Sequence, residues 1–132
     1  MTSAQMVIMS KPRILVVDDD AKISSLVRII LERVGGFQVR EENRSFAALQ
    51  TALEYRPHFV LLDVDMPGKD GGDVAAELRA DPSLANVPIV FLTSLVASRQ
   101  LSELGDDRFL AKPVDPQLLI RTVRDLMPKM AA

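Results

Sequence analysis

The sequence predicts an α/β fold in which a doubly wound, five-stranded parallel sheet is covered by helices on both faces. Short, continuously apolar segments alternate five times with amphipathic segments along the chain. Strands buried on both faces are apolar at every position rather than at every second one. Five strand–helix units in succession form a parallel sheet, because each helix returns the chain to the same edge. The 132 residues suit one domain of this kind.

The first strand is predicted at residues 13–18, where RILVVD is apolar up to its final aspartate. A helix follows, because apolar residues recur at intervals of three or four between residues 23 and 34 and stop at Gly35-Gly36. The second strand is expected at residues 37–41. Together these segments form the first strand–helix–strand unit.

The second helix is predicted to begin at Ser45, whose hydroxyl is a candidate N-cap, and to end before Pro57. The apolar residues expected on its inner face are Phe46, Leu49 and Leu53.

In the second half of the chain, strands are expected at residues 58–63, 87–93 and 108–111, and a third helix at residues 72–80. Only a weak helical pattern, at about residues 98–104, separates the last two strands, so the fourth helix is expected to be short or irregular.

The last helix is predicted to begin at Asp115-Pro116, an N-cap followed by a proline at the first helical position. Its apolar stripe is formed by Leu119, Val123 and Leu126.

Polar residues follow four of the predicted strands at their carboxyl ends, where ligands bind in sheets of this type. They are Asp18-Asp19-Asp20, Asp63 with Asp65, Thr93 with Ser94, and Lys112. Two carboxylates about 4 Å apart repel by roughly 4 kcal/mol at an effective dielectric of about 20, so the cluster requires protons or a cation. A hard divalent ion such as Mg²⁺ fits a few carboxylates and leaves positions for phosphate oxygens.

Lys112 would add a fixed positive charge at this edge and Thr93 a hydroxyl donor, and both suit an anionic phosphoryl group. Aspartate, metal, lysine and hydroxyl together predict phosphoryl transfer onto a carboxylate.

Several polar residues have a simpler structural interpretation. Asp20 is expected to cap the first helix, and Asp70 and Asp73 to act as turn and cap residues of the third helix. The single histidine, His58, precedes its strand and lies at the opposite edge of the sheet. We therefore predict a structural role for it.

The segments VVDDD, LLDVDMPGKDGG, FLTS and FLAKPV, in this order, resemble the receiver domain of two-component response regulators, including chemotaxis regulators. The resemblance extends over residues 11–127, which leaves an N-terminal extension at 1–10 and a tail at 128–132. It implies a flavodoxin-like receiver fold with strand order 2-1-3-4-5.

The resemblance implies that Asp63 is the phosphoacceptor. Asp18, Asp19, Asp63 itself and the backbone carbonyl of Asp65 match the ligands of Mg²⁺ or Mn²⁺. Thr93 and Lys112 match the groups that contact the phosphoryl oxygens, Phe109 matches an aromatic switch residue, and Lys112-Pro113 matches a cis peptide bond.

The implied partners are a sensor histidine kinase or a histidine phosphotransfer protein, and a downstream effector protein. The domain would catalyse only its own phosphorylation and dephosphorylation. The formal net charge of −2 produces no basic field for nucleic acid or an anionic membrane, so we expect neither as a direct partner. The apolar runs are shorter than the roughly 18 residues of a membrane span, and a cytoplasmic location is expected. With no effector domain after the last helix, output by protein contact is expected.

The sequence departs from the family at three places. Thr93 and Lys112 are only nineteen positions apart, so a short or irregular fourth helix is expected and the family's usual output face is not assumed. Phe109 replaces the common tyrosine. Asp65 and Leu95 occupy the two positions that tune dephosphorylation in the family, and we expect the Asp65 carboxylate to alter the lifetime of the phosphoryl group.

Three other functions fit parts of the sequence less well than a receiver does. DVD at residues 63–65 fits the DxD of haloacid-dehalogenase-like phosphatases, but there the motif ends the first strand and the acidic pair follows the lysine. A flavin site is disfavoured because the aspartate triplet would repel phosphate. A receiver-like docking module that is never phosphorylated would not require the acids, Thr93 and Lys112 together.

Overall fold

The computed structural model describes residues 11–94 and 108–128. These residues contain five strands and four α-helices. The strands are β1 (Arg13–Val17), β2 (Gln38–Glu42), β3 (Phe59–Asp63), β4 (Ile89–Thr93) and β5 (Phe109–Ala111). The helices are α1 (Ala21–Arg33), α2 (Ala48–Tyr55), α3 (Gly71–Ala80) and α4 (Pro116–Leu126), and a 3₁₀ turn (Ser45–Ala47) precedes α2. The helix predicted at 98–104 lies outside the described residues.

All four strand pairs are parallel, and the order in the sheet is β2-β1-β3-β4-β5. The predicted fold class is therefore confirmed. The chain moves outward from β1 to β2, then returns to the other side of β1 to form β3. The winding direction reverses between β1 and β3, and ligands bind beyond the carboxyl ends of the strands at such a point.

Alternate residues of the strands enter two separate cores. On one face, Ile14 and Val16 of β1 pack with residues of α1 and α4, including Val27 and Leu119. On the other face, Leu15 and Val17 of β1 pack with residues of α2 and α3, including Ala52 and Val74. All five residues of β3 are buried. The central strands therefore hold the side chains at their ends rigidly.

The prediction for the second helix was wrong in two details. Ser45 does not cap it, because the Ser45 hydroxyl donates to the Pro67 carbonyl at 3.3 Å and the helix begins only after the 3₁₀ turn. Phe46 is 69% exposed and Leu53 39%, whereas the predicted Leu49 does pack, partly buried, against the core. The buried residues are Ala48, Thr51 and Ala52. Small side chains let α2 lie close to its neighbours, so the most deeply buried positions are not those of its largest apolar residues.

The predicted helix caps on aspartate are confirmed. Asp20 accepts a hydrogen bond from the Lys22 amide at the start of α1. Asp70 and Asp73 form a reciprocal capping box at the start of α3. Asp115 accepts from the Leu118 amide at the start of α4. Among the described residues, no helix has the length and apolar character needed to cross a membrane.

Candidate functional site

Three carboxylates converge at the carboxyl edge of the sheet. Asp18 follows β1 and Asp63 ends β3, the strand beside it, with Val17 opposite Leu62 in the register. Asp18 is 0% exposed and Asp63 2% exposed, while Asp19 lies at the surface. One oxygen of each of Asp18, Asp19 and Asp63 lies within 4.8 Å of the other two. The predicted acidic cluster is thus brought together by two adjacent strands.

Lys112 places its ammonium group between the two buried acids. The residue follows β5, and its backbone amide donates to the Thr93 carbonyl at 2.8 Å. Its side chain reaches across the end of β4, where Nζ donates to Asp63 Oδ1 at 2.8 Å and lies 3.1 Å from Asp18 Oδ2. The Lys112-Pro113 peptide bond is cis. Lys112 therefore brings a positive charge to a site with three acids.

Burial and charge perturb both partners of this ion pair. Burial is the main cause that raises the pKa of Asp63 to about 6, and the charge of Asp18 adds to it, although Lys112 acts in the opposite direction. Burial alone would lower the pKa of Lys112, but the hydrogen bond to Asp63 and the nearby negative charge of Asp18 hold the pKa above its ordinary value. Lys112 is therefore charged at neutral pH.

The geometry of Asp18 fits a bound cation. Its Oδ1 accepts a hydrogen bond from the Asp20 amide at 2.9 Å. Its Oδ2 is buried and has no hydrogen-bond partner in the described part of the chain. The Lys112 ammonium at 3.1 Å forms an ion pair with this oxygen but not a hydrogen bond. A buried charged oxygen without such a partner is costly. Carboxylate oxygens from Asp18, Asp19 and Asp63 form the all-oxygen donor set that Mg²⁺ or Mn²⁺ prefers.

The other predicted site residues surround this cluster without all contacting it. Thr93 ends β4 and is 1% exposed, and its hydroxyl donates to the Ser94 carbonyl at 3.2 Å. Asp65 is exposed, and its backbone amide donates to Asp63 Oδ1 at 3.4 Å. Phe109 is partly buried against the core on the α2 and α3 face. Leu95 lies outside the described residues.

Asn43 was not identified from the sequence, although it contacts the β1–α1 loop. Its Nδ2 donates to the Asp18 carbonyl at 2.7 Å and to the Ser24 hydroxyl oxygen at 2.9 Å. The contact depends on the pairing of β1 with β2, because the two residues are 25 positions apart. Its place after the strand beside β1 is the only signal in the sequence, and it is weak.

His58 lies at the opposite edge of the sheet, away from the acidic cluster. Its Nδ1 accepts a hydrogen bond from the Arg13 amide at 2.9 Å. This contact closes the start of β1 against β3, which agrees with the predicted structural role.

Sequence comparisons identify relatives over most of the chain. The family model of the response regulator receiver domain matches residues 14–124. The DNA-binding response regulator MtrA of Mycobacterium tuberculosis H37Rv is 40% identical over 117 residues, which cover 86% of this chain and 50% of MtrA. The DNA-binding dual master transcriptional regulator RpaA of Synechocystis is 35% identical over 119 residues, which cover 88% of this chain and 49% of RpaA. The chain spans about half the length of these curated relatives.

Solved structures with the same arrangement of strands and helices extend this result. A response regulator from Chloroflexus aurantiacus matches with a TM-score of 0.79 and 31% identity, covering 89% of this chain and 98% of that one. The chemotaxis response regulator CheY4 of Vibrio cholerae matches with a TM-score of 0.79 and 26% identity, covering 89% of this chain and 100% of that one.

Proposed function

Because the chain belongs to the response regulator receiver domain family of two-component systems, we propose that Asp63 is its phosphoacceptor. The observation that carries the proposal is the position of Lys112 Nζ, 2.8 Å from Asp63 Oδ1 and 3.1 Å from Asp18 Oδ2. This arrangement places a fixed cation beside the carboxylate where negative charge would develop during phosphoryl transfer.

In the proposed reaction, an oxygen of Asp63 attacks the phosphorus atom of a phosphohistidine on the partner protein. The bond from phosphorus to the histidine nitrogen breaks, and the nitrogen leaves with the bonding electrons and takes up a proton. An acyl phosphate forms on Asp63. The phosphoryl donor is a sensor histidine kinase or a histidine phosphotransfer protein, and the proton comes from the solvent.

A divalent ion, Mg²⁺ or Mn²⁺, would be held by Asp18, Asp19, Asp63 and the backbone carbonyl of Asp65. When bound, such an ion neutralises carboxylate charge and stabilises negative charge on the phosphoryl oxygens. The Oδ2 of Asp18 supports this assignment, because it is a buried carboxylate oxygen that has no hydrogen-bond partner among the described residues.

Lys112 and Thr93 would contact the phosphoryl oxygens once they are in place. Phosphorylation adds nearly two negative charges at Asp63, and the Thr93 hydroxyl, now bonded to its neighbour's carbonyl, has to turn to donate to them. Phe109 would act as an aromatic switch residue that turns inward when the site is phosphorylated. The resulting change of surface is proposed to alter contacts with a downstream effector protein, in the cytoplasm and without direct contact with nucleic acid or membrane.

The test is incubation of the purified chain with acetyl phosphate and Mg²⁺, followed by intact mass measurement. We expect a gain of one phosphoryl group that is stable in acid and labile in base, and no gain for Asp63→Asn or with EDTA. Asp65→Asn is the matched control, since it removes a nearby exposed carboxylate and should still be phosphorylated. Absence of any gain in the wild type would favour a docking module, and steady turnover of a phosphomonoester would favour a phosphatase.

The same samples test the proposed effect of Asp65 on the lifetime of the acyl phosphate. Its carboxylate lies two positions from the acceptor and at the surface, where it can affect the approach of water. We expect the decay rate of phosphorylated Asp65→Asn to differ from that of the wild type, and equal decay rates would contradict this part of the proposal.

A further inference from the structure

A polar network outside the acidic cluster reaches the loop that carries Asp18 and Asp19. It joins the end of β2 to the first turns of α1. Its members are Asn43, Ser24, Glu41, Ser25 and Arg28, and it contacts Asp18 through the backbone.

The amide group of Asn43 connects the network to Asp18. A carbonyl oxygen can only accept a hydrogen bond, so the nitrogen of the Asn43 amide, rather than its oxygen, must face the Asp18 carbonyl at 2.7 Å. The second hydrogen of that nitrogen is directed to the Ser24 hydroxyl oxygen at 2.9 Å. Both donors of the amide are used, so its orientation is determined.

Ser24 is in turn held by Glu41. Ser24 is 0% exposed, and its hydroxyl donates its one proton to Glu41 Oε1 at 2.6 Å. Burial alone would raise the pKa of Glu41, but hydrogen bonds from Ser24 and Arg28 keep it below its ordinary value. Glu41 is thus an ionised acceptor, and the Ser24 oxygen keeps its lone pairs for Asn43.

The end of β2 holds both the amide and the carbonyl group of the Asp18 backbone. Its amide donates to the Glu42 carbonyl at 3.1 Å, and its carbonyl accepts from Asn43. The second contact holds the peptide plane between Asp18 and Asp19. That plane sets the direction in which the Asp19 carboxylate leaves the backbone.

We infer that Asn43 is a positioning residue for the divalent cation, because it orients the peptide that carries the Asp18 and Asp19 ligands. The inference rests on the metal site of the proposed function. Asn43 does not touch the cation itself, and its effect reaches the ion through the shape of the loop. Removing a group that orients metal ligands typically lowers the affinity for the metal about ten-fold or more.

The experiment measures the dissociation constant for Mg²⁺ on the unphosphorylated chain by calorimetric titration, with Mn²⁺ titration followed by electron paramagnetic resonance as a second readout. We expect Asn43→Ala to weaken binding about ten-fold. Ser24→Ala keeps the amide and removes its second anchor, so it should weaken binding by a smaller factor. If urea unfolding shows that Asn43→Ala does not fold, Ser24→Ala serves as the test variant.

Ser25→Ala is the matched control. Ser25 neighbours Ser24 on α1 and also donates to Glu41, at 3.2 Å, but it has no described hydrogen bond to Asn43. We expect its Mg²⁺ affinity to equal that of the wild type. Equal affinity in folded Asn43→Ala, or an equal loss in Ser25→Ala, would overturn the inference. A wild-type chain that binds neither ion would instead overturn the proposed metal site, so the two failures are distinguishable.

Discussion

Replacing Asp63 with asparagine is expected to stabilise the cation-free protein at neutral pH, even though it removes the proposed phosphoacceptor. Burial is the main cause that raises the pKa of this carboxyl from 3.8 to about 6. Ionising Asp63 therefore costs more free energy in the folded protein than in the unfolded chain. Asparagine has nearly the same shape and carries no charge, so the substitution removes that penalty without opening a cavity.

The size of the effect follows from the difference between the folded and ordinary pKa values. Values of about 6 and 3.8, at about 1.4 kcal/mol per pKa unit, correspond to a penalty of about 3 kcal/mol. Because the folded pKa is raised, the folded state binds more protons than the unfolded state between these values. Stability therefore falls as the pH rises through this window and is constant above it. The free energy of unfolding of Asp63→Asn should exceed that of the wild type by almost nothing at about pH 4 and by up to about 3 kcal/mol at about pH 7.

The measurement is urea unfolding in EDTA, followed by far-ultraviolet circular dichroism, at a series of pH values across this window. Asp65→Asn removes a carboxylate that is exposed and serves as the control, for which no comparable dependence is expected. Added Mg²⁺ should reduce the advantage of Asp63→Asn, because a ligand that binds the wild type more tightly stabilises it more. An Asp63→Asn protein that is no more stable than the wild type in EDTA at neutral pH would refute the reasoning.

Two further predictions concern the backbone around the site and the opposite edge of the sheet. A Cβ on Gly71 would lie 2.5 Å from the Asp63 carbonyl oxygen, so Gly71→Ala should destabilise the fold by about 1–3 kcal/mol and slow phosphorylation. Gly72→Ala, whose Cβ would meet only a side-chain oxygen at 3.3 Å, should do neither in the same urea and mass assays. Burial lowers the pKa of His58 below 6.5, and its protonated ring cannot accept the Arg13 amide. Stability from this contact, about 1 kcal/mol, should therefore be lost as the pH falls below about 6.5. His58→Asn keeps an acceptor that does not titrate in this range. If the wild type lost no more stability than His58→Asn as the pH falls below about 6.5, the prediction would be contradicted.

The fold and the position of the candidate site could be predicted because the signals for both are local. Strands buried on two faces are apolar along their length, and β3 reads FVLLD, an apolar run of strand length that ends in an aspartate. Parallel strands end at one edge, so the acids at the ends of β1 and β3 and the lysine after β5 were expected at the same edge of the sheet. Apart from the second helix, the observed element bounds differ from the predicted ones by at most two residues.

The details that could not be predicted depend on contacts between residues distant in the chain. The inner face of α2 is formed by Ala48 and Ala52 because close packing favours small side chains, and no periodicity of large apolar residues indicates that. Asn43 approaches Asp18 only through the register of β2 beside β1. Such contacts are decided by strand order and register, which the local pattern does not contain.

The sequence by itself determined which residue types stand at the carboxyl ends of the strands, and hence the chemistry available there. Only the tertiary structure decided that Lys112 Nζ lies between Asp18 and Asp63, and that burial raises the pKa of Asp63. The physical reason is that charge interactions and desolvation depend on distance and burial. The chain sets both only when β1, β3 and β5 are assembled into one sheet.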